Sequence, residues 1–530
     1  MTGGDLIDGL AAAANSSASD LETAEAVAEC WRQVLRLPSI EEDDDFFQLG
    51  GSSLSLIRAI VLLNERGYDV DLDRVAAEPG LQLRQMTRHC RRAVAGAPPE
   101  DRQPPSRLFQ LPFHRRSFAT VDEQRNQFVA LMTFLVECPD IRRLAGGLEE
   151  LIRVHDALRI RSIPERGGWS MDVAPVGAYS VRYIDARTMD RATLEAEAAA
   201  ILGELRELDI GLPRLVSALA VQHTESLHQI LMYVHHAICD GYSCDLVREQ
   251  LRGYLGEQQT PLRAPSVSYA RYAAAVETYV QTPEHFQKIA DYVERPEVFG
   301  AHPITIDDPT AEHTGDTVRF HPASFALPTG DQFQVHRNVE LLAIGAAALA
   351  TSADADWSHL GVVHHGRSWS PNALNVSGTV GCFIQQLQVF LSLPRLRRES
   401  LGYVAEEVER MKPVALDVEF LMYAPERYPN IPDRPARPRV IVQYNGDVVD
   451  EDGLSLAKAA MGTKVWSSKV VKDFSLFLSL WLDRRNRVLH HRWEYGCWQY
   501  ADSTASAMAD RFRDAFLQLA RQTPHAGMAD

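Results

Sequence analysis

Two adjacent histidines, His235 and His236, follow the alternating stretch from Leu227 to Val234, and that alternation predicts a strand. Asp240 and Gly241 come shortly afterwards, on a turn that precedes a predicted helix. A histidine at the end of a strand is a good general base, and a nearby carboxylate can fix the loop and the orientation of the imidazole. The segment therefore predicts proton-transfer chemistry at this turn, where Gly241 leaves room for a second molecule to approach.

The same pair of histidines has two other interpretations: a satisfied structural pair, or two of three metal ligands. Because adjacent strand residues face opposite sides, direct binding of one metal by both side chains is awkward. Adjacent histidines also occur at His364-His365 and His490-His491, but neither pair is followed by Asp-Gly at this spacing. We interpret both of those pairs as structural.

A second chemical feature is the segment from Leu49 to Leu54, which reads LGGSSL. Two glycines permit a tight turn whose backbone another group can approach closely. A serine at the start of the next helix places its hydroxyl among unpaired backbone N–H groups, which suits a phosphate. The alternative is that Ser52 or Ser53 serves only as an N-cap.

The elements that position these features fall into two parts. Residues 1–19 are rich in Ala, Gly and Ser and are predicted to be disordered. Apolar spacing predicts a small bundle over 20–93, with helices over Asp20–Leu37, from Ser53 to the break at Gly67, and from about Leu81 to Ala93. Paired prolines in 94–106 predict a stiff, extended linker.

After Ser106 the pattern becomes mixed helix and strand and predicts a large α/β unit over 107–525, either one body or two lobes. The predicted strands are 127–136, 227–234, 360–363, 383–391, 439–444, 474–482 and 488–495. The predicted helices are 141–154, 243–255, 341–349 and 504–521.

Composition excludes several classes of function. The net charge of −17 argues against binding nucleic acid through its phosphates. No apolar run reaches the length of a membrane span, and the N-terminus lacks the pattern of a signal peptide. Seven scattered cysteines without a CxxC pair favour reduced thiols in the cytoplasm and no metal site. The acidic run from Glu41 to Asp45 is either a solvated surface or one that steers basic partners.

The segment from Asp45 to Leu56, DFFQLGGSSLSL, closely resembles the carrier-domain signature of nonribosomal peptide synthetases. The acidic loop and the helix spacing around it also match, over roughly residues 20–93. The resemblance implies that 4'-phosphopantetheine is attached covalently to Ser53, while Ser52 occupies a variable position. Such an arm carries an acyl thioester to a distant site and raises its effective concentration there.

The order His-His-x-x-x-Asp-Gly resembles the condensation-domain signature of the same synthetases, in the superfamily of chloramphenicol acetyltransferase. Three further segments support this resemblance, which spans about residues 107–525: Arg153 to Arg161, Gly366-Arg367, and Val380 to Ile384. The implied fold is a small all-α four-helix carrier bundle followed by an α/β domain of two similar lobes forming a V. The lobes would span about 107–280 and 281–525, with the active site between them.

By this resemblance His236 is the catalytic histidine, while His235, Asp240 and Gly241 support it. Asp240 would pair with an arginine, because a buried carboxylate without a cation is costly. Arg159 and Arg161 are the predicted candidates for that partner. His236 would either deprotonate an attacking amine, or hold the nucleophile and stabilise the developing oxyanion. Residue types alone leave both roles open.

Departures from the family pattern lie on the acceptor side. Gln385 and Gln386 stand where the family continues with Asn-Thr, and Gln110 is the one residue that matches the opening motif. The His-Gln-Asp motif expected around 405–420 is absent. The sequence therefore predicts transfer to an acceptor amine, giving a peptide bond, or to a hydroxyl.

The resemblance also implies partners and a setting. A phosphopantetheinyl transferase would modify Ser53, and an adenylation domain in trans, or an upstream module, would supply the acyl group. The acceptor would be a second carrier domain or a small amine or alcohol, in cytoplasmic biosynthesis of a secondary metabolite such as an antibiotic. An epimerisation domain would show Val-Ser-Trp after Asp-Gly, where this chain has Tyr242-Ser243-Cys244. A non-catalytic recruitment platform of the same fold would lose the His and Asp that this chain keeps.

Overall fold

The structure is a computed structural model. It describes residues 20–35, 37–49, 51, 53–70, 74–75, 81–92, 107–118, 129–165, 168–175, 178–208, 214–257, 259–300, 304, 307, 318–328, 335–352, 355–367, 371, 374–431, 435–447, 475–483 and 486–522. The predicted disorder over 1–19 and the predicted linker over 94–106 lie outside these residues.

The N-terminal part is a small helical bundle closed by a β-ladder. Its helices are residues 20–35 (α1), Ser53–Glu65 (α2) and Leu83–Arg88 (α3). Strands Tyr68–Val70 (β1) and Cys90–Arg92 (β2) pair antiparallel. Trp31 of α1 and Phe46 of the following loop are fully buried, with ring centroids 4.8 Å apart, and form the centre of this core.

Two of the predicted bundle helices keep their bounds to within a few residues, and the third differs. The helix predicted over 81–93 divides into α3 and β2, because Cys90 turns into the bundle opposite Val70 in the ladder. The predicted break at Gly67 is observed, since this glycine has a φ of +83°, which favours glycine.

The second part begins with α/β elements around a four-stranded sheet. In chain order they are α4 (Pro112–Phe118), β3 (Val129–Glu137), α5 (Arg143–Val154), β4 (Ile160–Glu165), β5 (Gly168–Val173), β6 (Ala178–Asp185), α6 (Arg191–Leu205), β7 (Arg214–Gln222), β8 (Leu227–His235), α7 (Gly241–Leu255) and α8 (Tyr269–Tyr279). The strand order is β3-β8-β7-β6, with β6 and β7 parallel and the other pairs antiparallel. Strands β4 and β5 form a separate hairpin.

The remaining elements build a second sheet. They are α9 (Pro283–Val293), β9 (Val318–Ala326), α10 (Val335–Thr351), β10 (Trp357–His364), β11 (Gln385–Ser392), α11 (Leu393–Met411), α12 (Ala415–Tyr423), β12 (Val440–Asp447), β13 (Leu476–Asp483), β14 (Val488–Gly496) and α13 (Asp502–Gln522). The strand order is β11-β10-β12-β13-β14-β9. Two sheets in one α/β part agree with the predicted two lobes, and one apolar core joins them.

Strand β8 is buried on both faces, which explains why six of its nine residues are apolar. Ile230, Met232 and Val234 pack in the same cluster as α7, whereas Leu231 and Tyr233 pack with α6 on the opposite face. The end of β8, which carries His235, therefore lies inside the molecule, and His236 follows it directly. Within the described part of the chain, no helix is both long and apolar enough to cross a membrane.

Candidate active site

The turn after β8 is held by its own first histidine. His235 is fully buried, and its Nδ1 accepts the backbone N–H of Ala237 at 3.2 Å. The N–H of Ile238 donates to the His235 carbonyl at 3.1 Å. Both contacts close the turn locally, so the geometry of His235 is that of a structural residue.

Asp240 joins this turn to helix α7. It is the N-cap, and its Oδ1 accepts the N–H of Ser243 at 2.7 Å, which satisfies one of the backbone donors that have no partner within the helix. Gly241 is the first residue of the helix, and a Cβ there would meet no atom within 4 Å. The predicted space beside Gly241 is thus present.

The cation that pairs with Asp240 is Arg367. Its Nη2 lies 3.2 Å from Oδ1 and 3.3 Å from Oδ2 of Asp240, and it also donates to Ser243 Oγ at 2.8 Å. The guanidinium lies between two aromatic rings, 4.2 Å from the centroid of Tyr242 and 3.9 Å from that of Phe383. All of these side chains are buried, which makes the charges costly to desolvate. The hydrogen bonds and the cation–π contacts offset that cost.

The prediction that Arg159 or Arg161 pairs with Asp240 is therefore wrong. Arg159 donates to the carbonyls of Ala174 and Pro175, at 3.0 and 3.1 Å. Arg161 makes a bidentate pair with Asp172 across the β4–β5 hairpin, at 2.7 and 2.8 Å. Both arginines hydrogen-bond to partners in or beside the β4–β5 hairpin, and these contacts hold them away from the turn after β8.

Asp240 and Ser243 also hold the segment that enters β11. The N–H of Asp240 donates to the Gly381 carbonyl at 3.1 Å, and the N–H of Phe383 donates to Asp240 Oδ2 at 3.0 Å. Ser243 Oγ donates to the Gly381 carbonyl at 2.7 Å and accepts the Gly381 N–H at 3.0 Å. We call Asp240, Ser243 and Arg367 the loop clamp, because they bind the histidine turn to the segment 381–383.

His236 lies at the exposed side of this turn and is partly buried. Its ring centroid is 5.4 Å from that of Phe113, and its Nδ1 is 4.0 Å from Cys382 Sγ. Phe113 and Cys382 also line a small pocket, together with residues of α8, of α12 and of the segment that enters β11. The remaining lining is mostly apolar, with two polar side chains, Gln385 and Glu419. His236 therefore lies next to two residues, Phe113 and Cys382, that line a small, mainly apolar pocket.

Helix α4 contributes a histidine that the sequence alone did not indicate. His114 is fully buried, its Nδ1 accepts the N–H of Leu111 at 3.3 Å, and its Nε2 lies 3.1 Å from the carbonyl of Ala237. These partners require a neutral ring with the proton on Nε2, and burial lowers the pKa of His114 to about 4. His114 thus supports the turn that carries His236 from behind.

The His364-His365 pair lies close to the loop clamp, since His365 Nδ1 accepts the N–H of Arg367 at 3.1 Å, whereas His490-His491 lies in another strand. Burial lowers the pKa of His365 to about 3, with a smaller effect of Arg367, and burial lowers the pKa of His491 to about 4. His364 Nδ1 accepts the N–H of Gly366 at 3.2 Å, a local turn contact. His490 and His491 lie in β14.

The residues that depart from the family pattern lie beside the pocket. Gln385 and Gln386 open β11, and the N–H of Gln386 donates to Glu419 Oε1 at 3.0 Å. Tyr423 donates to Gln386 Oε1 at 3.3 Å. Glu419 and Tyr423 both belong to α12, in or beside the region where the His-Gln-Asp motif is absent, so the departures concentrate on one wall of this pocket.

Ser53 is the first residue of α2, as predicted, whereas Gly50 and Ser52 lie outside the described residues. Gly51 packs so closely on Phe46 that a Cβ there would be 2.1 Å from the ring, and its N–H donates to the Phe46 carbonyl at 2.8 Å. The turn therefore needs glycine, and it places residue 53 at the start of a 13-residue helix. That position fits attachment of a phosphate group.

Helix α2 of the bundle contacts helix α7, which begins at the histidine turn. Arg58 Nε lies 3.7 Å from Asp245 Oδ2 in the second turn of α7. Val61 is fully buried and belongs to the core of the α/β part rather than to that of the bundle.

The contact extends to the second lobe at the other end of α2. Ser377 Oγ lies 3.3 Å from Asn64 Oδ1, and Arg263 Nη1 donates to the Asn64 carbonyl at 3.4 Å. We call the six residues of these contacts the carrier interface: Arg58, Val61, Asn64, Asp245, Arg263 and Ser377. Fold and site together define a small helical carrier that packs on a two-sheet domain with a buried histidine turn.

Comparison with known proteins gives the family. The family model for the condensation domain matches residues 117–528, and the model for the phosphopantetheine attachment site matches residues 25–87. The chain belongs to the condensation-domain family, with a carrier region before that domain, as in nonribosomal peptide synthetases. The carrier match indicates covalent 4'-phosphopantetheine, and the turn before Ser53 fits it.

Similar curated proteins include tyrocidine synthase 2 of Brevibacillus parabrevis, 22% identical over 94% of this chain, and surfactin synthase subunit 2 of Bacillus subtilis (strain 168), 25% identical over 71%. The chain covers 14% and 11% of their respective lengths.

Two solved structures share the fold. The epimerization domain from the third module of tyrocidine synthetase B has a TM-score of 0.63 at 18% identity, covering 78% of this chain and 98% of that one. A condensation domain for chain release from the enacyloxin polyketide synthase has a TM-score of 0.59 at 17% identity, covering 82% and 87%.

Proposed function

We propose that this chain transfers an acyl group from its own carrier region to an acceptor amine, forming an amide, or to an acceptor hydroxyl. The observation that carries this proposal is the carrier interface. Helix α2 begins at Ser53 and packs on α7, whose N-cap Asp240 ends the histidine turn. A carrier in this position is the donor for the site at His236.

The residues have separate roles in this proposal. His236 takes a proton from the acceptor nucleophile, or holds the nucleophile and stabilises the oxyanion. His235, Asp240 and Gly241 shape the turn, and Arg367 takes the supporting role first assigned to Arg159 or Arg161. Phosphopantetheine on Ser53 supplies a flexible thiol that holds the acyl group. The mainly apolar pocket limits water near the reacting centre.

Partners and setting belong to the same proposal. A phosphopantetheinyl transferase modifies Ser53, and an adenylation domain in trans or in an upstream module supplies the acyl group. The acceptor is a second carrier domain or a small amine or alcohol. The setting is cytoplasmic biosynthesis of a secondary metabolite of the antibiotic class. We retain 20–93 as the carrier domain and 107–525 as the condensation domain, with lobes of about 107–280 and 281–525.

The test loads Ser53 with labelled aminoacyl-phosphopantetheine and follows transfer to a panel of amine and alcohol acceptors by mass spectrometry. We expect transfer in the wild type and its loss in His236→Ala, with the Ser53→Ala protein gaining no phosphopantetheine mass. His490→Ala is the matched control, because His490 lies in β14 outside the site. Transfer that persists in His236→Ala would contradict the proposal.

Two other outcomes separate the alternatives of the same fold. Entry of solvent deuterium at the α-carbon without transfer would indicate epimerisation. Tight binding of a partner protein, with no chemistry toward any acceptor in the panel, would indicate a recruitment platform. The rate of transfer against pH then distinguishes a general base from a group that only orients the nucleophile.

A further inference from the structure

The segment that enters β11 is fixed at three successive residues. Gly381 is held by Asp240 and Ser243, and Phe383 by Asp240. Between them, the Cys382 carbonyl accepts the hydroxyl of Tyr269 at 2.7 Å. A Cβ on Gly381 would be 2.1 Å from the Tyr269 ring, so this close approach requires glycine. The backbone that carries Cys382 therefore has little freedom to shift.

The side chain of Cys382 lies next to His236, the proposed catalytic histidine. Cys382 is 1% exposed, and its Sγ lies 4.0 Å from His236 Nδ1, at the edge of the pocket. An imidazole can accept a proton at Nε2 only when its other proton is on Nδ1, and the hydrogen bond at Nδ1 decides which nitrogen carries it. Sulfur is a weak acceptor for such a bond.

We propose that Cys382 is a positioning residue for His236, with Sγ accepting Nδ1–H so that Nε2 is the basic nitrogen. The proposal rests on the role of His236 stated above. Cys382 keeps its own proton and forms no bond to the acyl group. The titratable groups packed around this pair are Cys239, Tyr269, Tyr272, Glu419 and the Asp240–Arg367 pair.

The chain contains a matched control for this contact. Cys138 Sγ lies 3.4 Å from His228 Nδ1, and both residues are buried. His228 is near the start of β8, whereas His236 follows its end, so the two Cys–His contacts lie at opposite ends of one strand. With about 3.3 Å per strand residue, they are more than 20 Å apart. Cys138→Ala removes a Cys–His contact outside the site, where His228 Nδ1 also lies 2.9 Å from the Ser226 carbonyl, so the His228 tautomer does not depend on the sulfur.

The first measurement is ¹⁵N NMR of the histidine side chains in the full chain, which reports the tautomer of His236 without any substrate. We expect Nδ1 protonated in the wild type and in Cys138→Ala, and a shift toward the Nε2–H tautomer in Cys382→Ala. Cys382→Ser restores an acceptor and should recover the wild-type shifts. Identical His236 shifts in wild type and Cys382→Ala would overturn the proposal.

The second measurement is transfer by the loaded protein. Cys382→Ala should lower kcat about 10- to 100-fold with little change in KM for the acceptor, because a misplaced base costs rate rather than binding. Cys382→Ser should recover most of the rate. Loss of transfer in His236→Ala with a normal rate in Cys382→Ala would overturn this inference alone, whereas transfer that persists in His236→Ala would overturn the proposed function.

Discussion

The loop clamp and the carrier interface both use residues at the start of helix α7, but they are built differently. The clamp at its start is buried, and its arginine makes hydrogen bonds to four groups and stacks on two rings. The interface one turn later has an arginine that is 30% exposed and, among the residues that the structure describes, a single ion pair at 3.7 Å. The buried clamp therefore holds its segment through many contacts, whereas the partly exposed interface depends on few.

Asp245 shows how the interface can open at low cost. It pairs with Arg58 of the carrier and also with Arg248, one turn further along α7. When the carrier leaves, Arg248 keeps the carboxylate paired, so separation does not leave a buried charge alone. Among the described ion pairs, Asp240 has a single cationic partner, Arg367. If Arg367 is removed, no second arginine in those pairs neutralises the Asp240 carboxylate.

The largest effect should come from breaking the clamp. We expect Arg367→Met to lower the free energy of unfolding by about 3–5 kcal/mol, because it leaves Asp240 buried without a cation. Arg161→Met is the matched control: Arg161 is 39% exposed, and its pair with Asp172 contributes about 0–1 kcal/mol. Chemical denaturation measures the free energy of unfolding of both variants. Equal decreases in the two would contradict the pairing of Asp240 with Arg367.

Acidification should loosen the turn through His114. Its folded pKa of about 4 lies below the unfolded value of 6.5, so the native state favours the neutral ring. The contribution of the neutral His114 ring to the free energy of unfolding is complete above pH 6.5. It falls by about 3 kcal/mol as the pH is lowered to 4. In His114→Gln the loss between pH 6.5 and 4 should be smaller. The same acid dependence in both proteins would exclude His114 as its source.

A smaller effect is expected at the apolar centre of the carrier interface. Val61→Ala should weaken docking of the carrier by roughly 1–2 kcal/mol, because Val61 is buried against the other domain. Faster hydrogen–deuterium exchange in α7 would show it. Val27→Ala, in the carrier's own core, is the control and should destabilise the bundle itself. Unchanged exchange in α7 of Val61→Ala would mean that this contact does not hold the docked state.

The smallest effect should follow removal of the exposed ion pair. Arg58→Ala should weaken docking by less than about 1 kcal/mol, and the difference should shrink at high salt. Transfer rates at low and high ionic strength measure it, with Arg91→Ala as the control, since Arg91 is an exposed arginine of β2 on the same carrier. A large, salt-independent loss would instead point to a direct role of Arg58 in the site.

Predictions from local pattern succeeded where the pattern itself is local. The strand before His235 and the helix after Asp240 have the expected bounds to within a few residues, because both faces of β8 and one face of α7 are apolar. The third bundle helix was mispredicted because the spacing around Cys90 fits a helix, while pairing with β1 extends the chain there. Local spacing contains no information about a distant strand.

Residue types and local spacing are enough to find the two candidate sites: a serine after two glycines at a helix start, and a histidine turn between a buried strand and a helix. The arginine, the thiol and the additional histidine that contact this turn are known only from the three-dimensional packing. Arg367, Cys382 and His114 are each more than a hundred residues from it in the chain. Their identity depends on how two sheets pack together, because a buried charge is stabilised by whatever cation that packing brings within reach.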